Sequence, residues 1–213
     1  MRRLALAVAV LALAGCVSLK RTPPARWYVL RSVAQAKEPP HEVPRRDGFV
    51  GLLPVRLAGA LERPQLVAWA GPNEVRIDEL SRWAEPLDAG ITRTLAEDLA
   101  ALLPRERVLR APWPAFALAR CRVATELSVF GPQPSGEVRL EAEFTLLGPR
   151  EERVLLRRPV VATRTPAASD AGASVEAMSA LVGEMAERIA EAIAALPVAE
   201  SPAVPETPPG GRR

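Results

Sequence analysis

The sequence predicts an α+β fold, a two-layer domain with a mixed, largely antiparallel sheet and two amphipathic helices. Three observations lead to this prediction. Two segments carry apolar residues at helical spacing, three consecutive segments between them read as an antiparallel meander, and the middle strand of the meander has a single apolar face. Because both helices need an apolar surface and the sheet offers one, a two-layer arrangement is favoured over a doubly wound one.

The strands are predicted from short apolar or alternating runs that end at glycine or proline. Loops at residues 131–136 (GPQPSG) and 148–152 (GPREE) separate the three strands of the meander. The apolar face of its middle strand comprises Val138, Leu140, Ala142, Phe144 and Leu146. The predicted strands are Arg26 to Arg31, Phe49 to Val55, Gln65 to Trp69, Arg107 to Arg110, Cys121 to Phe130, Glu137 to Leu147 and Arg153 to Thr163.

The two helices are predicted from stripes of apolar residues. The first runs from about Ala84 to Leu103, with Pro86 in the first turn, where a missing N–H is harmless. Its stripe is Trp83, Leu87, Ile91, Leu95, Leu99 and Leu102. The second runs from about Val175 to Leu196, with Ser174 as the N-cap. Its stripe is Val175, Met178, Val182, Met185, Ile189, Ile193 and Leu196.

Composition narrows the function. The chain has 213 residues, of which 48% are hydrophobic and 25% charged, as in an ordinary globular domain. When Arg2 and Arg3 are set aside with a leader, 26 basic residues face 25 acidic ones, and the sequence has no basic patch for nucleic acid. It has one histidine, His41, and one tyrosine, Tyr28, so a catalytic triad or multi-histidine metal site is not expected. We therefore predict a protein that is not an enzyme and has no metal or other cofactor.

The amino terminus has the pattern of a bacterial lipoprotein leader. Arg2 and Arg3 precede an apolar run from Leu4 to Ala12, and small residues then lead to Cys16. In such leaders the cysteine thiol receives a diacylglyceryl group before cleavage. Acyl chains on Cys16, such as palmitate, would anchor the protein, since each buried methylene contributes about 0.8 kcal/mol. An ordinary signal peptide with a chance cysteine is the alternative.

Four segments are predicted along the chain. They are a lipoprotein signal peptide at 1–15, a lipidated tether at 16–25, a domain at 26–196 and a proline-rich disordered tail at 197–213. Once Cys16 is acylated, Cys121 is the remaining cysteine, so no intramolecular disulfide is expected. Cys121 lies in phase with Val123, Thr125, Leu127 and Val129 on one face of its strand, which predicts a buried thiol rather than a reactive one.

Three stretches of the sequence carry a resemblance to a known family. They are VGLLPV at 50–55, LERPQLV at 61–67 and RWAEPL at 82–87, the last opening a helix. With the leader and the RWYVLR strand, they resemble the ABC-type transport auxiliary lipoproteins, the family of paraquat-inducible protein C. The resemblance spans about residues 26–165. The family's usual form has Asp where this chain has Glu62, a change that keeps the charge.

The resemblance implies a periplasmic domain tethered to the outer membrane that serves a system moving lipids between the membranes. It implies a partner of the mammalian-cell-entry (MCE) type, and it supplies no catalytic residue. The protein could bind this partner as a homo-oligomer. In enteric bacteria an Asp just after the lipidated cysteine retains a lipoprotein in the inner membrane, and Val17 and Ser18 stand there instead. The partner-binding surface is predicted at Glu62, Arg63, Gln65, Arg82, Trp83 and Glu85.

These residues and the chain as a whole also have other interpretations. Pro64 fixes φ before an extended run, so Arg63 and Gln65 could serve only to begin a strand. Trp83 could serve only to fasten the start of the helix to the sheet. A function of another class is an outer-membrane lipoprotein that binds or regulates cell-wall machinery, with the proline-rich tail reaching through the peptidoglycan.

Anchoring through Cys16 is directly testable. We expect Cys16→Ser to leave the protein unprocessed or unacylated, because serine lacks the thiol that accepts the diacylglyceryl group. Membrane fractionation and metabolic labelling with a fatty acid measure the effect. Recovery of cleaved mutant protein in the outer-membrane fraction at the wild-type level would contradict the lipoprotein prediction.

Overall fold

The computed structural model of the chain describes residues 23–34, 48–104, 106–114, 117–149 and 153–196, and it confirms the α+β prediction. The helices are α1 (Leu87–Leu102) and α2 (Ala171–Ala194), and a 3-10 turn covers Gly59–Leu61. The strands are β1 (Arg26–Tyr28), β2 (Phe49–Leu52), β3 (Arg56–Leu57), β4 (Gln65–Gly71), β5 (Glu74–Trp83), β6 (Val108–Arg110), β7 (Ala119–Pro132), β8 (Val138–Leu147) and β9 (Val154–Arg164).

The strands form two mixed sheets. A small sheet has the order β1-β5-β4, with β1 parallel and β4 antiparallel to β5. A large sheet has the order β6-β2-β7-β8-β9, with β3 beside β7. Within the large sheet β2 is parallel to β6 and β7, whereas β7, β8 and β9 form the antiparallel meander that the sequence predicts.

The core lies between one face of the large sheet and the two helices. The predicted apolar face of β8 is buried throughout, from Val138 to Leu146. Helix α2 lies across β7, β8 and β9, while α1 packs against α2 and β6. Leu87, Ile91, Leu95 and Leu99 of the predicted α1 stripe are buried. The charged face of β8 points away from this core, as the alternation predicts.

The predicted face of β7 is wrong at its last position. Cys121, Val123, Thr125 and Leu127 are buried, but Val129 is half-buried and Phe130 is 1% exposed. The register between β7 and β8 shifts between Leu127 and Val129, which is the signature of a β-bulge. The extra residue moves the alternation by one position, so Phe130 occupies the core position predicted for Val129.

The helix starts also differ from the prediction. Helix α1 begins at Leu87 rather than Ala84, and Pro86, predicted in its first turn, is instead its extended N-cap. Glu85 precedes a proline and is therefore disfavoured in helical conformation, which excludes a start at Ala84. Helix α2 begins at Ala171, and Asp170 caps it by accepting the N–H of Ala173 at 2.9 Å. The predicted N-cap, Ser174, therefore lies within the first turns, where its hydroxyl donates to the Asp170 carbonyl at 2.9 Å.

The small sheet is held against the large one at Gly131 of β7. Gly131 has φ +149°, and a Cβ there would overlap the carbonyl oxygen of Val67 in β4. A glycine is required because of this close approach and the positive φ. The two sheets therefore meet where the β4–β5 hairpin crosses β7.

Several predicted segments lie outside the described residues. The signal peptide, Cys16, most of the tether and the proline-rich tail belong to residues 1–22 and 197–213, so the predicted segment boundaries remain predictions. Within the part of the chain that the structure describes, no helix has the length and apolarity needed to cross a membrane.

The burial of Cys121 predicts its reactivity. Its thiol is 0% exposed, and burial raises its pKa to about 11. Because the thiolate is the reactive species, we expect slow alkylation of the native protein at pH 8 and rapid alkylation in denaturant. The unfolded chain releases this proton near pH 9.0, so the thiol's contribution to stability falls as pH rises from about 9 to about 11. Rapid labelling of the native protein, measured by mass spectrometry, would contradict burial.

Candidate partner-binding cleft

A cleft of about 730 Å³ lies between the 3-10 turn, the end of β5 and the start of α1. Four of the six residues predicted to bind a partner line it, namely Glu62, Arg63, Trp83 and Glu85. Glu62 and Arg63 precede β4, whereas Trp83 ends β5 and Glu85 follows it. The fold therefore brings together most of the surface that the sequence predicts.

Backbone hydrogen bonds fix the loop that carries Glu62 and Arg63. The Arg63 N–H donates to the Leu61 carbonyl at 2.8 Å, and the Trp83 N–H donates to the Pro64 carbonyl at 2.7 Å. The Leu61 side chain is 1% exposed and holds the 3-10 turn in the core. The Arg63 Nε donates to the Ala60 carbonyl at 3.0 Å, so its side chain is held against the turn. The loop is thus ordered before any partner binds.

The cleft combines an apolar floor with a charged rim. Buried side chains of Val55, Leu61, Trp83 and Leu87 form the floor. The carboxylates on the lining are Glu62, Glu85, Asp88 and Glu126, and the guanidinium groups are Arg56 and Arg63. Such a cleft can bury an apolar side chain while its acidic rim attracts basic neighbours of that side chain.

Glu85 is fixed on the rim by Arg93 of α1. Arg93 donates to Glu85 Oε1 through Nη2 at 2.7 Å and through Nε at 3.3 Å, and to Glu97 through Nη1 at 3.3 Å. The hydrogen bond that Arg93 donates to Glu85 is the largest of the influences that raise the pKa of Arg93. Gly90 lies beneath Glu85, and a Cβ there would come within 3.3 Å of Oε1. Sequence reasoning did not predict Arg93 as part of this site.

Gln65 and Arg82 lie beside the cleft but do not line it. They are paired in register across β4 and β5, and both contact Glu79. Gln65 Nε2 donates to Glu79 Oε2 at 3.1 Å, and Arg82 Nε donates to the Glu79 carbonyl at 3.1 Å. These two predicted residues therefore form a neighbouring polar patch on the small sheet.

Several residues that line the cleft are not among those predicted from the sequence. Asp88 follows Pro86 at the start of α1, a position where acidic residues are common for helix stability alone. Arg56 and Glu126 are brought to the cleft by the parallel pairing of β3 with β7, in which they are register partners. The alternation of charged Glu126 with apolar Leu127 indicates that Glu126 is exposed, but it does not show that β3 lies beside it.

Among the described ranges, no group of three or more His, Cys, Asp or Glu side chains is placed to hold a metal ion.

The cleft residues lie within the part of the chain that matches a known protein family. A family model for the ABC-type transport auxiliary lipoprotein component matches residues 28–190. The chain belongs to this family. It is therefore a transport-associated lipoprotein, and the auxiliary lipoproteins are not a known enzyme family. A search of curated proteins finds no significant match to the chain.

Solved structures share the fold of this auxiliary lipoprotein. A crystal structure of an uncharacterized protein superimposes with a TM-score of 0.66 at 18% identity, covering 80% of this chain and 99% of the other. A Xanthomonas campestris protein of the DUF330 family superimposes with a TM-score of 0.63 at 14% identity, covering 78% and 92%. At such identities the likeness shows the fold alone.

Trp83 lies on the cleft but is 5% exposed, so it serves the core as well as the surface. We expect Trp83→Ala to lower the free energy of unfolding by about 3–5 kcal/mol, because it leaves a large cavity. Glu62→Ala, an exposed position of the same cleft, should change it by less than about 0.5 kcal/mol. Urea unfolding followed by circular dichroism compares the two. A Trp83→Ala protein as stable as the wild type would contradict its place in the core.

Proposed function

We propose that this auxiliary lipoprotein is anchored through acylated Cys16 at the periplasmic face of the outer membrane. There it serves as a non-enzymatic subunit of an intermembrane lipid transport system that supports membrane integrity. Its partner is the distal part of an MCE protein of that system, bound at the cleft. The observation that carries this proposal is the convergence of Glu62, Arg63, Trp83 and Glu85 on one cleft, in a chain whose family serves ABC-type transport.

The chemistry of the cleft favours a protein segment over a lipid acyl chain. Its volume of about 730 Å³ is in the range of clefts that hold a small ligand or a few side chains. An acyl chain across the rim would remove carboxylates from water without giving them partners, which is costly. A segment with an apolar anchor and flanking Lys or Arg would satisfy both floor and rim. In this proposal the lipid travels through the partner.

The position of the cleft relative to the predicted anchor supports a complex close to the membrane that holds the anchor. The Ala84 N–H on the rim donates to the Tyr28 carbonyl at 2.9 Å, so the cleft is joined to the first strand. The predicted tether of about nine residues before that strand reaches at most about 30 Å. The cleft would thus stay near the anchored leaflet, and the partner would extend across the periplasm to reach it.

Family membership favours transport over the cell-wall alternative, since the family is defined by its association with ABC-type transport. The protein could also bind its partner as a homo-oligomer, which is a separate question. Light scattering of the purified protein, alone and with its partner, decides between a single copy and a homo-oligomer.

Charge reversal at Glu62 tests the cleft. We expect Glu62→Arg to reduce binding of the cognate MCE protein at least about tenfold, because it replaces a carboxylate of the acidic rim with a positive charge that repels a basic partner segment. Glu74→Arg is the matched control, since Glu74 is exposed at the start of β5, whereas the cleft lies at its end. Pull-down and a titration of the purified proteins measure the effect.

Circular dichroism verifies that both variants fold. If folded Glu62→Arg binds as tightly as Glu74→Arg, the loop is not part of the binding site. If the wild type binds no MCE protein from its own genome, the transport partner is wrong.

A further inference from the structure

The segment that leads from the predicted tether into the domain is fastened along its length. We call residues 28–34, from Tyr28 to Ala34, the N-terminal strap. It runs from the rim of the cleft to side chains of α1 and α2, and Leu30 within it is 2% exposed. Its backbone and side-chain contacts fall into two groups, one at the rim and one at the helices.

At the rim, two residues bind carbonyl groups of the strap. The Ala84 N–H donates to the Tyr28 carbonyl at 2.9 Å, and Arg93 Nη2 donates to the Leu30 carbonyl at 2.9 Å. The same Nη2 of Arg93 donates to Glu85 at 2.7 Å. One guanidinium group therefore joins the strap to a carboxylate that lines the cleft.

At the helices, Asp98 of α1 receives the end of the strap. Asp98 is 0% exposed, and its Oδ1 accepts from the Ser32 hydroxyl at 2.6 Å and from the N–H groups of Val33 and Ala34 at 3.0 Å each. The Arg31 N–H donates to the Ser179 hydroxyl of α2 at 3.2 Å. A buried carboxylate is stable only where donors meet it, and the strap supplies these three.

A glycine in α2 allows the strap to lie this close. A Cβ at Gly183 would come within 2.5 Å of Val33 Cγ2 but would be 4.0 Å from Val33 Cβ. Alanine is otherwise preferred to glycine inside a helix by about 0.5–1 kcal/mol. Gly183 is therefore explained by the approach of the strap rather than by the helix.

We propose that Arg93 is a positioning residue that ties the rim of the cleft to the N-terminal strap, so that the seating of the strap sets the geometry of the partner site. The strap is seated by Asp98, Ser179 and Gly183. Arg93 and the Ala84 N–H then transmit its position to Glu85 and to the end of β5. The N-terminal strap, which follows the predicted tether, thereby helps to shape the partner-binding cleft. This inference rests on the proposed function only for the identity of the bound partner.

Hydrogen–deuterium exchange of the full protein in detergent tests the coupling without a partner. Gly183→Ala and, independently, Asp98→Ala should unseat the strap and speed exchange of the Arg31, Val33 and Ala34 amides about tenfold or more. The Ala84 and Trp83 amides should speed up with them, although Trp83 donates to Pro64 rather than to the strap. Val33→Ala in the Gly183→Ala protein removes the clashing Cγ2 and should restore wild-type exchange.

Partner binding tests the consequence. Arg93→Gln and Gly183→Ala should each weaken binding of the cognate MCE protein about tenfold, and Val33→Ala should restore binding in the Gly183→Ala protein. Glu97→Gln is the matched control, because it removes the other ion pair of Arg93 and should change affinity less than about twofold. Circular dichroism and urea unfolding confirm that each variant is folded.

The outcomes separate the inference from the proposed function. Faster exchange in the strap with unchanged exchange at Ala84 and Trp83 would overturn the coupling, whatever the partner. Unchanged exchange in the strap in both Gly183→Ala and Asp98→Ala would show that these contacts do not seat it and would overturn the inference as well. If exchange at the strap and at Ala84 and Trp83 is coupled but the wild type binds no MCE protein, the coupling stands and the proposed partner is wrong.

Discussion

The large sheet has one apolar face, and both helices must share it. The outer face of β8 carries charged residues such as Arg139, Glu141 and Glu143, so burial is available on the inner face alone. Helix α2 covers the meander, and α1 is placed beside it toward β6. This arrangement brings the start of α1 next to the loop after β2, where the Val55 N–H donates to the Thr92 hydroxyl at 3.0 Å. The cleft forms at this corner, between the 3-10 turn, the end of β5 and the start of α1.

The sequence predicts the parts of the fold whose residue pattern follows burial. The β8 strand and both helix stripes are predicted well, because each has one buried and one solvated side. By contrast, β5 is not predicted, since its residues from Glu74 to Leu80 are exposed or half-buried and give no clear alternation. The phase change at Val129 and the cap at Asp170 depend on a bulge and on the path of the preceding loop. The bulge shifts the alternation only over the last residues of β7, which are too few to show a new phase, and the cap lies in a loop outside the periodic stretch, so neither is visible before the structure.

The residues of the cleft likewise include some that the sequence predicts and others that only the tertiary structure brings there. Glu62, Arg63, Trp83 and Glu85 could be predicted because they lie in short stretches that resemble a family, and the structure gathers them around one cleft. Their partners could not be predicted. Glu126 reaches the cleft through the parallel pairing of β3 and β7, and Arg93 reaches Glu85 from the seventh residue of α1, so tertiary structure alone connects them. The residues that hold a binding surface in place are thus less visible in a sequence than the residues that form it.

In the proposed function the cleft binds an MCE protein in the cell envelope. Site-specific photo-crosslinking in living cells tests it most directly, with a photoreactive amino acid in place of exposed Glu62 and, as the control, in place of Arg164. Our account predicts a crosslinked product with the cognate MCE protein from position 62 and none from position 164. A product of equal yield from both positions, or products from position 62 that contain only cell-wall proteins, would contradict it.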